Sequence, residues 1–345
     1  MAVVSIRRAV GNALKPIWHH GGLVNLARCL GGRRGAILRY HSVTEDEAAT
    51  LAYLDHGLMV TRTAFRMQLR YLRRFYTVMS LDELVERLHR GSALPRRSVA
   101  ITFDDGYRDN YTQAFPALRA EGLPATFYVA TGCIDGGPPL WTAQLRFMVR
   151  RTKERRVVLP EPLGAPAAIE HAADRQALFT RLVIALKNVP SARRRALVQE
   201  LAELLRVTDF RPLAAIMMTW DELREMSADG MTIGAHTVSH PNLPNTPPEE
   251  ALEEIAGSRD MIAGKLGTSV AHFSYPNGRG AAHLTDTVRG IVRQAGFLSA
   301  VTSVPGCVRA GADLWALRRV GVYNRHRHMP SFSLDMERAR LRAGA

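Results

Sequence analysis

Short apolar runs, each bounded by turn-forming residues, recur along this chain, and the stretches between them repeat their apolar residues with a helical period. That alternation predicts an α/β fold whose parallel strands are either layered or closed into a barrel. Strands are expected at Ala36–Tyr40, Ser98–Phe103, Ala125–Ala130, Thr232–Ala235, His272–Tyr275, Leu298–Thr302 and Arg319–Val322. Helices are expected at Arg62–Phe75, Leu81–His89, Asn110–Glu121 and Pro248–Leu266. The last two run into Gly122 and Gly267, residues that accept the left-handed conformation just past a helix end. From Trp141 to about Pro212 the strand signals vanish, and helical pieces surround Pro160, Pro162 and Pro166, which predicts a helical insertion between two strands.

The chain has 345 residues, of which 46% are hydrophobic and 23% charged, a balance that buries a core and excludes a disordered chain. No segment approaches the roughly 18 consecutive apolar residues of a membrane span. Cys29, Cys133 and Cys307 are too few and too widely spaced for a disulfide framework or a CxxC metal knuckle, which points to a reducing compartment. At the N-terminus Arg7, Arg8, Lys15 and the Gly21–Gly22 pair interrupt the apolar stretch that a signal peptide needs. A cytoplasmic or membrane-peripheral location is expected.

The net charge is +14, and its distribution changes its meaning. Residues 1–40 hold seven basic residues and no acid, 141–215 hold fourteen against seven, and 316–345 hold seven against two, while the remainder is mildly acidic. The Arg193–Arg195 run and the Arg150, Arg151 pair lie in helical stretches, where charge runs usually form solvated faces. With no zinc-finger spacing or stacking motif, no nucleic-acid partner is expected. Val3, Val4, Val10, Ala13, Leu14, Ile17 and Trp18 can share one broad helix face, with Arg7, Arg8 and Lys15 largely off it. That pattern suits peripheral contact with an anionic membrane, or a helix packed on its own domain. The chain therefore divides into a basic arm (1–35), an α/β barrel (36–325) carrying the insertion (141–215), and a basic tail (326–345).

Three strand ends carry candidate chemistry. The first strand of interest ends in Asp104 and Asp105 followed by Gly106. Successive residues leaving a strand point in different directions, so the two carboxylates can take different roles. Buried side by side they repel unless a cation compensates them, and the plain alternative is a surface turn. Met231–His240 ends a second strand with His236 and His240 four residues apart, a spacing at which two imidazoles can share a metal. Twelve histidines also produce such spacings by chance. One Asp and two His at the same rim would make a three-ligand site with an open position, the catalytic rather than the structural pattern. The third end, Phe273–Gly278, is either a simple turn or a means of presenting the Asn277 N–H to a developing oxyanion.

Taken in order, Thr102-Phe-Asp-Asp-Gly106, His236-Thr-Val-Ser-His240 and the Tyr275-Pro-Asn-Gly278 loop resemble the first three motifs of the polysaccharide deacetylase family (NodB-homology, carbohydrate esterase family 4), and Arg39-Tyr-His-Ser-Val43 resembles the opening strand of many members. The resemblance spans about residues 36–325. It implies a distorted (β/α)7 barrel and a metal-dependent hydrolase that removes the N-acetyl group from an amino sugar in a glycan, lipid-linked sugar or small glycoside. It also implies Asp105, His236 and His240 as ligands of a divalent metal, most often zinc, with Asp104 as general base. Two features depart from the family pattern. Ser274 stands where many members have the arginine that orients the base, which leaves Arg318 or Arg319 for that task, and the Leu-x-His motif that supplies the general acid is absent. His41, His326 and His328 are candidates for the acid. Tyr107, Tyr275 and Trp141 are candidates for contact with the sugar, each with an alternative place in the core. Hydrolysis of another non-peptide C–N bond, or surface binding on an idle barrel, are the competing functions.

Overall fold

The computed structural model describes residues 32–278, 280 and 283–341. Seven parallel strands follow one another around a closed barrel: β1 (Ala36–Tyr40), β2 (Ser98–Phe103), β3 (Thr126–Val129), β4 (Thr232–Ala235), β5 (His272–Ser274), β6 (Ser299–Pro305) and β7 (Leu317–Gly321). Closure comes from β1, which pairs Ala36–Tyr40 with Val99–Phe103 on one side and Leu38 and Arg39 with Val320 and Gly321 on the other. Each strand expected from the apolar pattern is present. The largest shifts are at β6, which runs three residues past the expected end to pair Pro305 with Arg319, and at β7, which begins two residues earlier than expected because the buried Leu317 already pairs with Val301.

The residues of β1 and β2 are all buried, as parallel strands walled by helices on one side and by the barrel interior on the other require. Tyr40, Phe103 and Phe127 stack outside the barrel, with centroids 5.2 and 4.6 Å apart, beneath Phe65 and Leu69 of α1 (Arg62–Phe75). Ile37, Ala100, Tyr128, Val301 and Leu317 form a separate cluster with Leu84, Val85 and Leu88 of α2 (Leu81–His89), which closes the N-terminal end. Gly234 is needed here, since a Cβ on it would come within 2.5 Å of the Tyr128 ring.

The expected Asn110–Glu121 helix is divided. A π turn covers Asn110–Ala114 before α3 (Phe115–Glu121). Pro116 explains it, since it has no N–H for the Thr112 carbonyl and its ring crowds that group. Both glycine stops hold, with Gly122 at φ 63° and Gly267 at φ 68°.

The insertion contains α4 (Trp141–Arg151), α5 (Ala172–Lys187) and α6 (Ser191–Leu204), and a two-residue antiparallel pairing of Arg156–Val157 with Ala167–Ala168 that the sequence pattern did not signal. It has its own apolar core, including Leu145, Leu178, Leu182, Leu197 and Leu201. Helices α7 (Trp220–Ala228), α8 (Pro248–Leu266) and α9 (Asp286–Gln294) complete the outer wall. The chain then runs through a 3-10 turn into α10 (Met329–Leu341), whose Phe332 and Met336 pack into the main core. The expected amphipathic arm, up to residue 31, and Cys29 lie outside the described residues; Cys133 and Cys307 are free thiols.

Candidate active site

The three motifs leave β2, β4 and β5 at one rim, and their backbones are unusual there. Asp105, Thr237, His240 and Asn277 all have positive φ, between 56° and 80°. Non-glycine residues seldom adopt this left-handed region, and where they do the surrounding structure must hold them. At His236–His240 the holder is Glu254 of α8, whose carboxylate accepts the Val238 and Ser239 N–H groups at 2.8 Å each and the Ser239 hydroxyl at 2.5 Å. Thr237 Oγ1 accepts the His240 N–H at 3.0 Å, and Trp141 Nε1 donates to the His240 carbonyl at 3.1 Å.

Asp105, His236 and His240 converge. Asp105 Oδ1 lies 3.4 Å from His236 Nε2 and 3.5 Å from His240 Nε2, and all three donor atoms fall within 4.8 Å of one another. Ligand bonds of about 2.1 Å in a tetrahedron place donor atoms about 3.4 Å apart, so both spacings fit a zinc-sized ion. His236 Nδ1 lies 2.6 Å from the Ser274 carbonyl, which can only accept; the proton therefore sits on Nδ1 and leaves the Nε2 lone pair facing Asp105. Burial lowers the His240 pKa against the opposing pull of Asp105, which favours the neutral imidazole a metal requires. For Asp105 burial acts to raise the pKa, but His236 and His240, in the protonated forms open to them without a metal, hold it well below the usual carboxylate range, a role that a divalent cation would take over. The donor set fits a divalent cation.

Asp104, 3% exposed, faces a different partner. Arg319 grips it with two parallel hydrogen bonds, Nη1 to Oδ1 at 2.7 Å and Nη2 to Oδ2 at 2.6 Å. The remaining guanidinium protons go to the Thr302 carbonyl, Thr102 Oγ1 and Ser274 Oγ, so all five donors are used. Burial would raise the Asp104 pKa, but the charge of Arg319, then of His236, keeps the carboxyl well below its ordinary value. Ser274 also donates to Asp104 Oδ1 at 3.2 Å. Of the two arginines left open by the sequence, Arg319 is the one that orients Asp104.

His41 follows β1 to the same rim and is 9% exposed, with Nδ1 unpartnered. Burial pushes its pKa down to about 4 while the charge of Asp105 opposes the shift. Asn110 Nδ2 donates to the His41 carbonyl at 2.7 Å. His326 is elsewhere: its Nε2 lies 2.9 Å from Asp335 and its Nδ1 accepts the Tyr323 N–H, which ties α10 to the barrel. His328 lines a neighbouring cleft. Asn277 is partly buried, and neither its backbone N–H nor its side-chain Nδ2 has an acceptor among the described residues.

The three expected sugar contacts are core residues. Tyr107 and Tyr275 are each 1% exposed, and the Tyr275 hydroxyl donates to the Trp315 carbonyl. Trp141 packs in the insertion core beneath Arg194 while its indole N–H holds the His240 loop, so it fixes a candidate ligand instead of forming a wall for the sugar. Sequence reasoning missed Glu254 and Asn110. Glu254 was detectable as an acid among the apolar positions Ala251, Ile255 and Ile262 on the buried face of α8.

A family model described as polysaccharide deacetylase matches residues 91–154 and 196–300, and the gap falls within the insertion. YxkH of Bacillus subtilis (strain 168), itself named for the polysaccharide deacetylases, is 21% identical over 287 residues, covering 83% of this chain and 70% of that protein. The poly-beta-1,6-N-acetyl-D-glucosamine N-deacetylase of Escherichia coli (strain K12) is 35% identical over 120 residues, which span 34% of this chain and 15% of the relative. Among solved structures the Streptococcus pyogenes deacetylase PplD, in complex with acetate, is similar in fold at TM-score 0.58 and 20% identity, over 88% of this chain and 98% of that one.

Proposed function

The chain belongs to the polysaccharide deacetylase family and is a hydrolase of N-acetyl amide bonds; from that premise we propose that it is metal-dependent and removes the acetyl group from an amino sugar in a glycan, lipid-linked sugar or small glycoside. The observation that carries the reading is the pairing at one rim of a three-donor cluster, Asp105, His236 and His240, with a separate carboxylate, Asp104, locked by Arg319. A divalent cation, zinc best matching the donor set, would polarise the acetamide carbonyl and lower the pKa of water in the site.

The rest of the chemistry belongs to the chain. Asp104 stays ionised because of Arg319, and its fixed orientation is what a general base needs to take a proton from the attacking water. The Asn277 N–H, without an acceptor among the described residues, offers a hydrogen bond to the oxyanion of the tetrahedral adduct. His41 is the histidine best placed to protonate the leaving amine. Neutral in the resting site, it would be made more basic by the negative charge of the adduct, so that it takes up, by way of solvent, the proton that Asp104 removed from water and passes it to the amine nitrogen as the C–N bond breaks. Glu254 and Trp141 hold the His236–His240 loop, and so act through the ligands instead of touching substrate.

The test is acetate release, followed by mass spectrometry, from a panel of N-acetylated oligosaccharides, nucleotide sugars and lipid-linked sugars. At least one should lose an acetyl group, and Asp104→Asn and His41→Ala should each slow the loss by about a hundredfold or more. Full activity in Asp104→Asn contradicts the assignment of the base.

A further inference from the structure

A second concavity lies on the same rim. The loop after β1 and the segment after β7 enclose a cleft of about 400 Å³ lined by His56, Tyr323, Asn324, Arg325, Arg327 and His328. These segments come after β1, which leads to His41, and after β7, which carries Arg319, so the cleft lies at the end of the barrel that bears Asp104.

Its charges are not balanced by its acids. Glu47 pairs with Arg327 at 3.2 Å and also faces His56 at 3.8 Å. Asp335 is shared by Arg325 at 3.3 Å, His326 at 2.9 Å and Arg338 at 3.9 Å. Asp55, beside the cleft, is engaged by Arg146. Arg325 lies 4.7 Å over the Tyr323 ring, which fixes its guanidinium beside the cleft.

Behind Tyr323 lies the most unusual cation. Arg39 is 9% exposed, yet its hydrogen bonds go only to hydroxyls: Nη2 to Tyr323 at 2.8 Å and Nη1 to Ser303. Its Nε has no partner, and no carboxylate among the described residues lies within ion-pair distance of it. A buried guanidinium offset only by the more distant charge of Asp104, and opposed by that of Arg319, is costly, and an oxyanion entering the adjacent cleft would compensate it while accepting hydrogen bonds from Arg325 and Arg327.

We propose that this cleft is a subsite for an anionic group, phosphate or carboxylate, carried by the acetylated sugar or by the unit next to it. The inference rests on the deacetylase reading above and narrows its substrate class to acidic or phosphorylated acetamido sugars.

The experiment compares acetate release by the full chain from three probes: the neutral methyl glycoside of N-acetylglucosamine, N-acetylglucosamine 1-phosphate and N-acetylmuramic acid. KM should be about tenfold lower, or better, for at least one charged probe than for the neutral one, and the preferred probe tells phosphate from carboxylate. The preference should shrink with added salt. In Arg325→Gln, and more fully in Arg325→Gln with Arg327→Gln, it should disappear while the neutral-probe KM stays within about twofold, since the other hydrogen bonds of these arginines go to Asp335, Asn324 and Glu47, outside the candidate catalytic groups. Arg325, with 57% of its side chain exposed, loses on replacement its contact with the Tyr323 ring and its pairing with Asp335 but leaves no buried cavity. Equal KM values for all probes, or a preference unchanged in the double variant, overturn the subsite and leave the deacetylase reading intact. If none of the probes releases acetate, that reading fails for them, and the cleft is judged by calorimetric titration of inorganic phosphate in an Asp105→Ala, His236→Ala background. Binding that Arg325→Gln, Arg327→Gln removes supports the subsite; no binding, or binding unchanged by those substitutions, overturns it.

Discussion

Arg319 shows what a single side chain decides. Its five donors are committed to Asp104 and the groups around it, and lysine cannot reproduce two parallel bonds to one carboxylate. Arg319→Lys should therefore fold and lose about a hundredfold in acetate release. Arg319→Met, which strands a buried charge, should lower unfolding stability in urea by about 3–5 kcal/mol. The sequence could narrow the choice only to Arg318 or Arg319, because which of two adjacent residues points into a barrel depends on where the strand starts. With β7 beginning at Leu317, the inward positions are Leu317 and Arg319. Asp335 illustrates pH linkage away from the chemistry. Burial would raise its pKa, but the hydrogen bond and charge of His326, then Arg325, hold it at about 2. A carboxylate depressed in the folded state stabilises fully above its unfolded pKa, near 4, and loses that contribution as pH falls toward 2. Asp335→Asn should thus cost about 1–2 kcal/mol at neutral pH and almost nothing near pH 2, measured by denaturant unfolding at both.

At the scale of elements, the strands and the helices at Arg62–Phe75, Leu81–His89 and Pro248–Leu266 were legible because each is amphipathic or wholly apolar over its full length. The motif loops were legible as chemistry but not as shape. Their left-handed residues are held by partners far along the chain, such as Glu254 and Trp141, and no local pattern announces such pairings. The same reason explains why Tyr107, Tyr275 and Trp141, which sit beside motifs in sequence, turned out to face the core. Glu254→Gln keeps the size of the side chain but removes a charge that accepts two backbone N–H groups and a hydroxyl. Zinc affinity, measured by competition with a chromophoric chelator, should fall about 10–100-fold with little change in far-UV circular dichroism. An unchanged affinity would mean that the loop does not need this clamp.

For the whole molecule, the +14 charge divides into a mildly acidic majority that includes the candidate metal ligands and basic segments at 1–40, 141–215 and 316–345. The cleft between the β1 and β7 loops is lined by Arg325 and Arg327, with Arg39 behind Tyr323, so part of that excess lies at the end of the barrel that bears the candidate active site. The remainder suits an anionic surface. The full chain should sediment with vesicles containing phosphatidylglycerol and not with phosphatidylcholine alone, binding should weaken as salt rises, and removal of residues 1–35 should abolish most of it. Retention of binding without those residues would shift the surface to the insertion. The central claim is that Asp105, His236 and His240 hold the metal on which deacetylation depends. Its most direct test is the metal content of purified protein dialysed against zinc: about one equivalent in the wild type and almost none in Asp105→Ala with His236→Ala. A full equivalent retained by that double variant would contradict it.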